Sequence, residues 1–168
     1  DHYCEAFRHS GKSLTLLRIG SIYGPGMGQG ALPRFAGLLK AGRQITIADG
    51  GRYRTDLVFV DDVVDAGLTA AQDCIDGVYN VGSGTQTSIL KVAQCLADLT
   101  GQQHSNITVE PALGSDSPPG FAAMDISLAQ QVLGYRPRTL RAGLQAFLSS
   151  QEAPGSTGTI RAKDQVED

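Results

Sequence analysis

From Leu14 to Ile19 the chain reads LTLLRI, a largely apolar run without alternation, which is the pattern of a strand covered on both faces in a parallel sheet. The period then changes. Leu32, Phe35, Ala36, Leu38 and Leu39 share one helical face with Pro33 in the first turn, so a short helix is predicted over 32–41, ended by Gly42. ITIADGGRYR reads as a short strand running into a turn. TDLVFVDDVVDAGLTAAQ reads as a strand from Thr55 to Val60 and then a helix capped by Asp61 or Asp62, carboxylates that also suit the positive end of a helix. GVYNVGSGTQTSILKVAQCLADLTG repeats the scheme with a strand over 78–81, a glycine turn, a helix from about Ser88 capped by Thr87 or Ser88, and a stop at Gly101. One more short strand is predicted from Ile107 to Glu110, then a Pro/Gly/Ser loop, then two short helices over 127–133 and 140–149 with Asp125 as a cap. Strands alternating with helices predict an α/β architecture with part of a parallel sheet.

The two ends read differently. DHYCEAFRHSG puts Tyr3, Ala6 and Phe7 on one helical face, like the second half of a longer helix with Gly11 as its C-cap, and the chain is expected to be a fragment. Residues 151–168 are polar and nearly without large apolar side chains, which predicts a disordered tail behind a single domain over 1–150. In a chain of 168 residues with a formal charge of -3 and 41% hydrophobic residues, no apolar run is long enough to span a bilayer, and no concentrated basic face marks a nucleic-acid binder. Cys4, Cys74 and Cys95 have no C-x-x-C spacing and read as small reduced core residues, which suggests the cytoplasm. His2, His9 and His104 lack metal-site spacing and read as surface residues, so no metal is expected. Arg18, inside an apolar strand, calls for a carboxylate or backbone partner.

The candidate chemistry lies after the first strand, where Gly20 breaks the apolar run and Gly24, Gly26, Gly28 and Gly30 follow at every second position. In an open α/β sheet, ligands bind beyond the carboxyl ends of the strands, and glycine there permits close approach of main-chain amides.

Four stretches taken together carry more. LLRIGSIYGPGM, TDLVFVDDVVDAG, YNVGSGTQTS and DISLAQQVLGYRP, the last with a GL pair beyond its proline, resemble in order and spacing the carboxyl half of the extended short-chain dehydrogenase/reductases, the NAD-dependent epimerase/dehydratase family. The resemblance implies the C-terminal part of a Rossmann-like parallel sheet plus the small substrate-binding subdomain. It implies NAD or NADP as cofactor of the complete parent, a small-molecule substrate of the nucleotide-sugar kind, and a parent homodimer. Family members carry a glycine-rich pyrophosphate turn and a catalytic Tyr-x-x-x-Lys upstream of this region, and neither is present. Tyr3 is followed four residues on by Phe7, and Lys12 lies past the helix end, so no catalytic residue is assigned.

By the same resemblance the main chain of Ile19 and Gly20 faces the nicotinamide, with Ser21 and Tyr23 beside it. Ser21 stands where many relatives place a substrate-binding asparagine, and Tyr23, Gly24, Pro25 and Gly26 shape the substrate pocket. Members that use nucleotide sugars carry Arg-Asp at the start of the strand written here YRTDLVFV, the arginine gripping the diphosphate. Thr55 intervenes, and strand alternation puts Arg54 on the face of Asp56, so Arg54 is the candidate only if the loop before it swings. Arg52 and Arg34 are the substitutes, each also readable as a solvated side chain, and a second family arginine has no counterpart in LGSDSPPG. The resulting expectation is the substrate-binding part of a sugar-nucleotide epimerase, dehydratase or related reductase, inactive and weak for NAD alone. The alternative is a truncated module of the same fold that binds a ligand or partner without chemistry.

Overall fold

The computed structural model describes Phe7 and residues 13–112, 114 and 120–151. The predicted opening helix (apart from Phe7), the predicted tail beyond Gln151, Cys4, His2 and His9 lie outside the described residues.

The elements alternate in chain order: β1 (Thr15–Ile19), β2 (Ser21–Tyr23), α1 (Ala31–Lys40), β3 (Ile45–Ile47), β4 (Arg54–Phe59), α2 (Val60–Gln72), β5 (Gly77–Val81), β6 (Gln86–Ser88), α3 (Ile89–Leu99), β7 (Ile107–Val109), α4 (Ser127–Val132) and α5 (Leu140–Ser150). Among the described residues they form an α/β fold with three small sheets. β1 pairs in parallel with β5, β3 pairs in parallel with β7, and β4 lies between parallel β2 and antiparallel β6.

The chain crosses from the first of these sheets to the second at Gly20. Its N–H donates to the Val81 carbonyl at 2.9 Å, closing the β1 register, and the next residue already pairs with β4. A Cβ at position 20 would stand 2.9 Å from the Asp56 carbonyl oxygen, closer than real contacts allow, so the break in the apolar run is a crossing between sheets that only glycine fits. The glycine-rich stretch is therefore a three-residue strand first and a loop only after Tyr23.

Two apolar cores flank β4. One gathers Tyr23, Phe59, Leu39, Leu96, Leu144 and Phe147 between α1, α3 and α5; the other gathers Ala66, Tyr79, Val81, Leu133 and Tyr135 around β5, α2 and α4. Arg138 ties them: its N–H and Nε donate to the buried Asp62 carboxylate at 3.0 and 2.7 Å, and its guanidinium lies 4.2 Å over the Phe59 ring. Asp56, 2% exposed, does the same work on the other side of β4. Its carboxylate accepts the Ser83 N–H and hydroxyl, both at 2.6 Å, the Gly84 N–H at 3.2 Å and the Met124 N–H at 2.9 Å.

Several expectations are corrected. β1 is not covered on both faces: Arg18 and Ile19 are exposed, because β1 pairs with β5 alone among the described residues. α2 starts at Val60 with Phe59 at the cap position and no side-chain cap; Asp62 is instead committed to Arg138, and Asp61 lies 3.5 Å from the same guanidinium. Ser88, not Thr87, caps α3, accepting the Lys91 N–H at 3.2 Å, while Thr87 is buried. Asp125 accepts the N–H and hydroxyl of Ser127 at the start of α4, bonds that lower its carboxyl pKa. Of the described cysteines only Cys95 is buried; Cys74 is exposed with φ 51°, closing the end of α2. His104 is exposed and hydrogen-bonded to Asp98 at 2.7 Å. No group of metal-ligating side chains and no helix long and apolar enough to cross a membrane occurs among the described residues.

Asp56→Asn keeps the shape but turns one acceptor into a donor facing N–H groups. It is expected to lower unfolding stability by about 2–4 kcal/mol, against about 1 kcal/mol for Ser88→Ala, in urea titrations with an unchanged m-value.

Candidate functional site

The crossing at Gly20 sets Ser21 at the start of β2, alongside β4. There its Oγ meets Thr55 Oγ1 at 2.6 Å. In β4 the side chains alternate: Asp56 turns toward residues 83, 84 and 124, so Thr55 turns the other way, toward Ser21. This hydroxyl pair forms a ridge between two clefts.

The first cleft, about 450 Å³, is bounded by Ile19, Gly20, Ser21, Thr55 and Asp56 on the strand side and by Phe121, Ala122 and Met124 across from them. The opposite wall is held in place by main-chain bonds: Phe121 N–H donates to the Arg54 carbonyl at 2.8 Å and Met124 N–H to Asp56. The second cleft, about 200 Å³, lies on the other side of the ridge, with Ile22, Met27, Leu32, Leu57, Ile89 and Val92 as its apolar walls and Thr87 and Tyr53 at its margin. A third, about 760 Å³, shares Ala31, Tyr53 and Ile89 with the second and reaches out past Arg34, Thr46 and Asp49. Second and third thus adjoin, sharing a wall beside α1.

The residues singled out in the sequence separate in space. Ile19, Gly20 and Ser21 come together in the first cleft. Tyr23 borders the second but is a core post: 3% exposed, edge-on to Phe59 at 5.5 Å and 81°, its hydroxyl so close to Gly143 that a Cβ there would stand 2.0 Å away. Burial, reinforced by the Asp62 charge, pushes its phenol pKa well above the ordinary tyrosine range, so it does not exchange protons near neutrality. Gly24 (φ 157°) is buried against Val60, where a Cβ would stand 2.4 Å from Val60 Cγ1. Pro25 and Gly26 are exposed and line none of these clefts. Their turn, closed by Met27 N–H to the Gly24 carbonyl at 3.2 Å, brings Met27 back into the second cleft. Arg54 is not in a loop free to swing. It sits in the ladder opposite Ser88, its side chain is exposed, and it lines none of the three clefts. Arg52 pairs with Asp49 at 2.9 Å, while Arg34 lines the third cleft.

Sequence reasoning missed Thr55, Phe121, Ala122 and Met124. Thr55 had a signal, as the side chain standing where the family resemblance implies an arginine; the other three lie in an aperiodic stretch with none.

The family model described as "NAD dependent epimerase/dehydratase family" matches residues 1–82. The chain belongs to this family. Over 146 residues it is 28% identical to the dTDP-L-rhamnose 4-epimerase of Burkholderia thailandensis, covering 82% of this chain and 39% of the relative. Among solved structures it is similar to the UDP-glucose 4-epimerase of Thermotoga maritima with UDP-glucose, at 30% identity and TM-score 0.72 over 89% of this chain and 50% of that one. It is also similar to a UDP-glucuronic acid 4-epimerase mutant of Bacillus cereus in complex with UDP-4-deoxy-4-fluoro-glucuronic acid and NAD, at 25% identity and TM-score 0.70 over 89% and 48%. The chain spans about two fifths of the curated relative and half of the solved ones. These neighbours fit the observed fold, which is the Rossmann-like α/β arrangement with parallel strand pairs. NAD accompanies members of this epimerase/dehydratase family in solved complexes.

Tyr135 provides a check on the second core. Its hydroxyl donates to the Gly82 carbonyl at 2.8 Å, and burial first, then the Asp62 and Asp56 charges, raise its pKa. A tyrosine with a raised folded-state pKa adds stability that is fully present below its unfolded value of about 10 and is lost as pH rises through the folded value. The melting temperature is therefore expected to fall above about pH 10, and Tyr135→Phe to blunt that fall. A pH series of thermal melts from neutrality upward reads both; an equal alkaline fall in the variant would contradict the assignment.

Proposed function

We propose that this chain is the carboxyl-terminal, substrate-binding portion of an NAD(P)-dependent sugar-nucleotide epimerase, dehydratase or related reductase, in which residues 1–150 complete a dinucleotide-binding domain begun elsewhere in the parent. The observation that carries this reading is the meeting of Ile19, Gly20 and Ser21 with Thr55 at the floor of one cleft, with Ser21 and Thr55 also lining a second cleft across the hydroxyl ridge. UDP-glucose in the similar Thermotoga maritima structure supports a nucleotide sugar as the occupant of these clefts.

The first cleft fits the nicotinamide end of NAD and not its pyrophosphate. Its walls are flat main chain and uncharged side chains, with Asp56 the one charged residue lining it and already saturated by donors. Bound NAD would supply the hydride acceptor and donor there. The chain's own residues do the positioning. Ser21 and Thr55 offer hydroxyl hydrogen bonds to a substrate oxygen, and Phe121 and Met124 give the far side an apolar wall. Tyr23 supports the β2 backbone from beneath. No catalytic acid or base is assigned to this chain. Cytoplasmic residence and a parent homodimer belong to the same reading, the former supported by the free thiols of Cys74 and Cys95.

Calorimetry is expected to give NAD affinity weaker than about 1 mM, because only one end of the cofactor finds a wall here, and no conversion of UDP-glucose in the presence of NAD. Saturation-transfer NMR is expected to show UDP-glucose bound, and Ser21→Phe, which fills the ridge, to remove the signal while the fold persists by circular dichroism. Turnover by the chain alone, tight NAD binding, or no UDP-glucose signal would each overturn the reading.

A further inference from the structure

The adjoining clefts are charged at one end only. Around the hydroxyl ridge, Ile22, Leu57 and Ile89 line the second cleft and no charged side chain among the described residues joins them. Across the ridge the only charged lining residue is Asp56, which is negative. At the outer end Arg34 and Asp49 line the third cleft; Asp49 is paired with Arg52, while the exposed Arg34 side chain makes no ion pair or hydrogen bond among the described residues. The stretch from 111 to 120, which borders the far wall in sequence, contains no arginine, lysine or histidine.

From this division we propose that the site selects a nucleotide sugar with an uncharged sugar and discriminates against one bearing a carboxylate, the anionic diphosphate lying toward Arg34 and the sugar toward Ser21 and Thr55. The proposal rests on the nucleotide-sugar reading above and narrows it. Family membership leaves the matter open, since the similar solved structures hold UDP-glucose in one case and a fluorinated UDP-glucuronic acid in another. The physical argument is desolvation. A sugar hydroxyl or a deoxygenated carbon entering the second cleft exchanges water for hydroxyl partners and aliphatic surface. A carboxylate entering it loses its hydration shell, finds no cation, and faces the Asp56 charge behind the ridge. Thr55 offers it a neutral hydroxyl and no counter-charge.

The test is a saturation-transfer and competition titration of the full chain with UDP-glucose, UDP-xylose and UDP-glucuronic acid. UDP-glucose and UDP-xylose are expected to bind with similar affinity and UDP-glucuronic acid at least about tenfold more weakly, with saturation of the hexose protons in the first and their loss in the last. Ile22→Lys, a half-exposed wall position where a longer side chain is tolerated, is expected to bring UDP-glucuronic acid to within about threefold of UDP-glucose. Arg34→Ala is expected to weaken all three alike and to reduce the salt dependence of binding. Equal affinity for glucose and glucuronic acid derivatives overturns the proposal and leaves the nucleotide-sugar reading standing. Binding of none of the three overturns both. If Ile22→Lys fails to fold, the ratio measured on the unmodified chain decides alone.

Discussion

One buried carboxylate organises this molecule. Asp56 sits in the middle of β4 with four donors on its two oxygens, and those donors come from the turn after β5 and from the stretch that forms the far wall of the first cleft. Burying an anion costs several kcal/mol, and only a full set of short, charge-assisted hydrogen bonds offsets that cost. The arrangement is therefore all or nothing. With the set complete, loops separated from β4 by 27 and 68 positions along the chain are pinned to it. Gly20 and Gly82 follow from the same constraint. A Cβ at 20 would press on the Asp56 carbonyl, and one at 82 would stand 2.6 Å from Asp56 Oδ2. The glycine at the end of β1, which reads in the sequence as a concession to a ligand, is required first by the protein's own backbone.

The same residue decides what its neighbour does. Because Asp56 must face the pinned loops, strand alternation obliges Thr55 to face Ser21 and the clefts. The candidate site is thus placed by a residue whose own carboxylate is committed to holding the loops. On the other side of β4 the pair of Asp62 and Arg138 plays the corresponding part, coupling α2 to the stretch before α5 and stacking the guanidinium on Phe59, whose ring in turn supports Tyr23. Tyr23 lies two residues beyond Ser21 in a three-residue strand, so the post and the site residue point the same way along β2, one sealed into the core and the other at the cleft.

What could be read from the sequence follows the length scale of each signal. α1, α3 and α5 declare themselves because ten or eleven residues contain enough turns for an apolar stripe to repeat, and β4 and β5 because their apolar runs end at clear turn residues. β2 and β6 do not, since three residues cannot establish a period and their pairing to β4 is a tertiary fact. Asp61 and Asp62 look like caps because acids favour the first helical turn on electrostatic grounds; their actual partner, Arg138, is 76 positions from Asp62. In the site, Gly20 and Ser21 were legible from the break in an apolar strand and from likeness to the epimerase/dehydratase family. Arg54 was named for its charge, and β4 pairing leaves its exposed side chain away from the clefts. Phe121 and Met124 reach the site through single main-chain hydrogen bonds, which leave no mark on residue type.

A hydroxyl at position 55, where likeness to the family implies an arginine, has consequences beyond one contact. An arginine there would neutralise the buried carboxylate's field at the cleft floor and offer fixed donors to a phosphate; a threonine leaves the field in place and binds Ser21 instead. Asp56 remains tolerable without that cation because its own donors, mostly main-chain N–H groups, already satisfy it. The fold therefore does not depend on a cation at position 55, since the stability of the carboxylate and the electrostatics of the cleft are carried by different atoms.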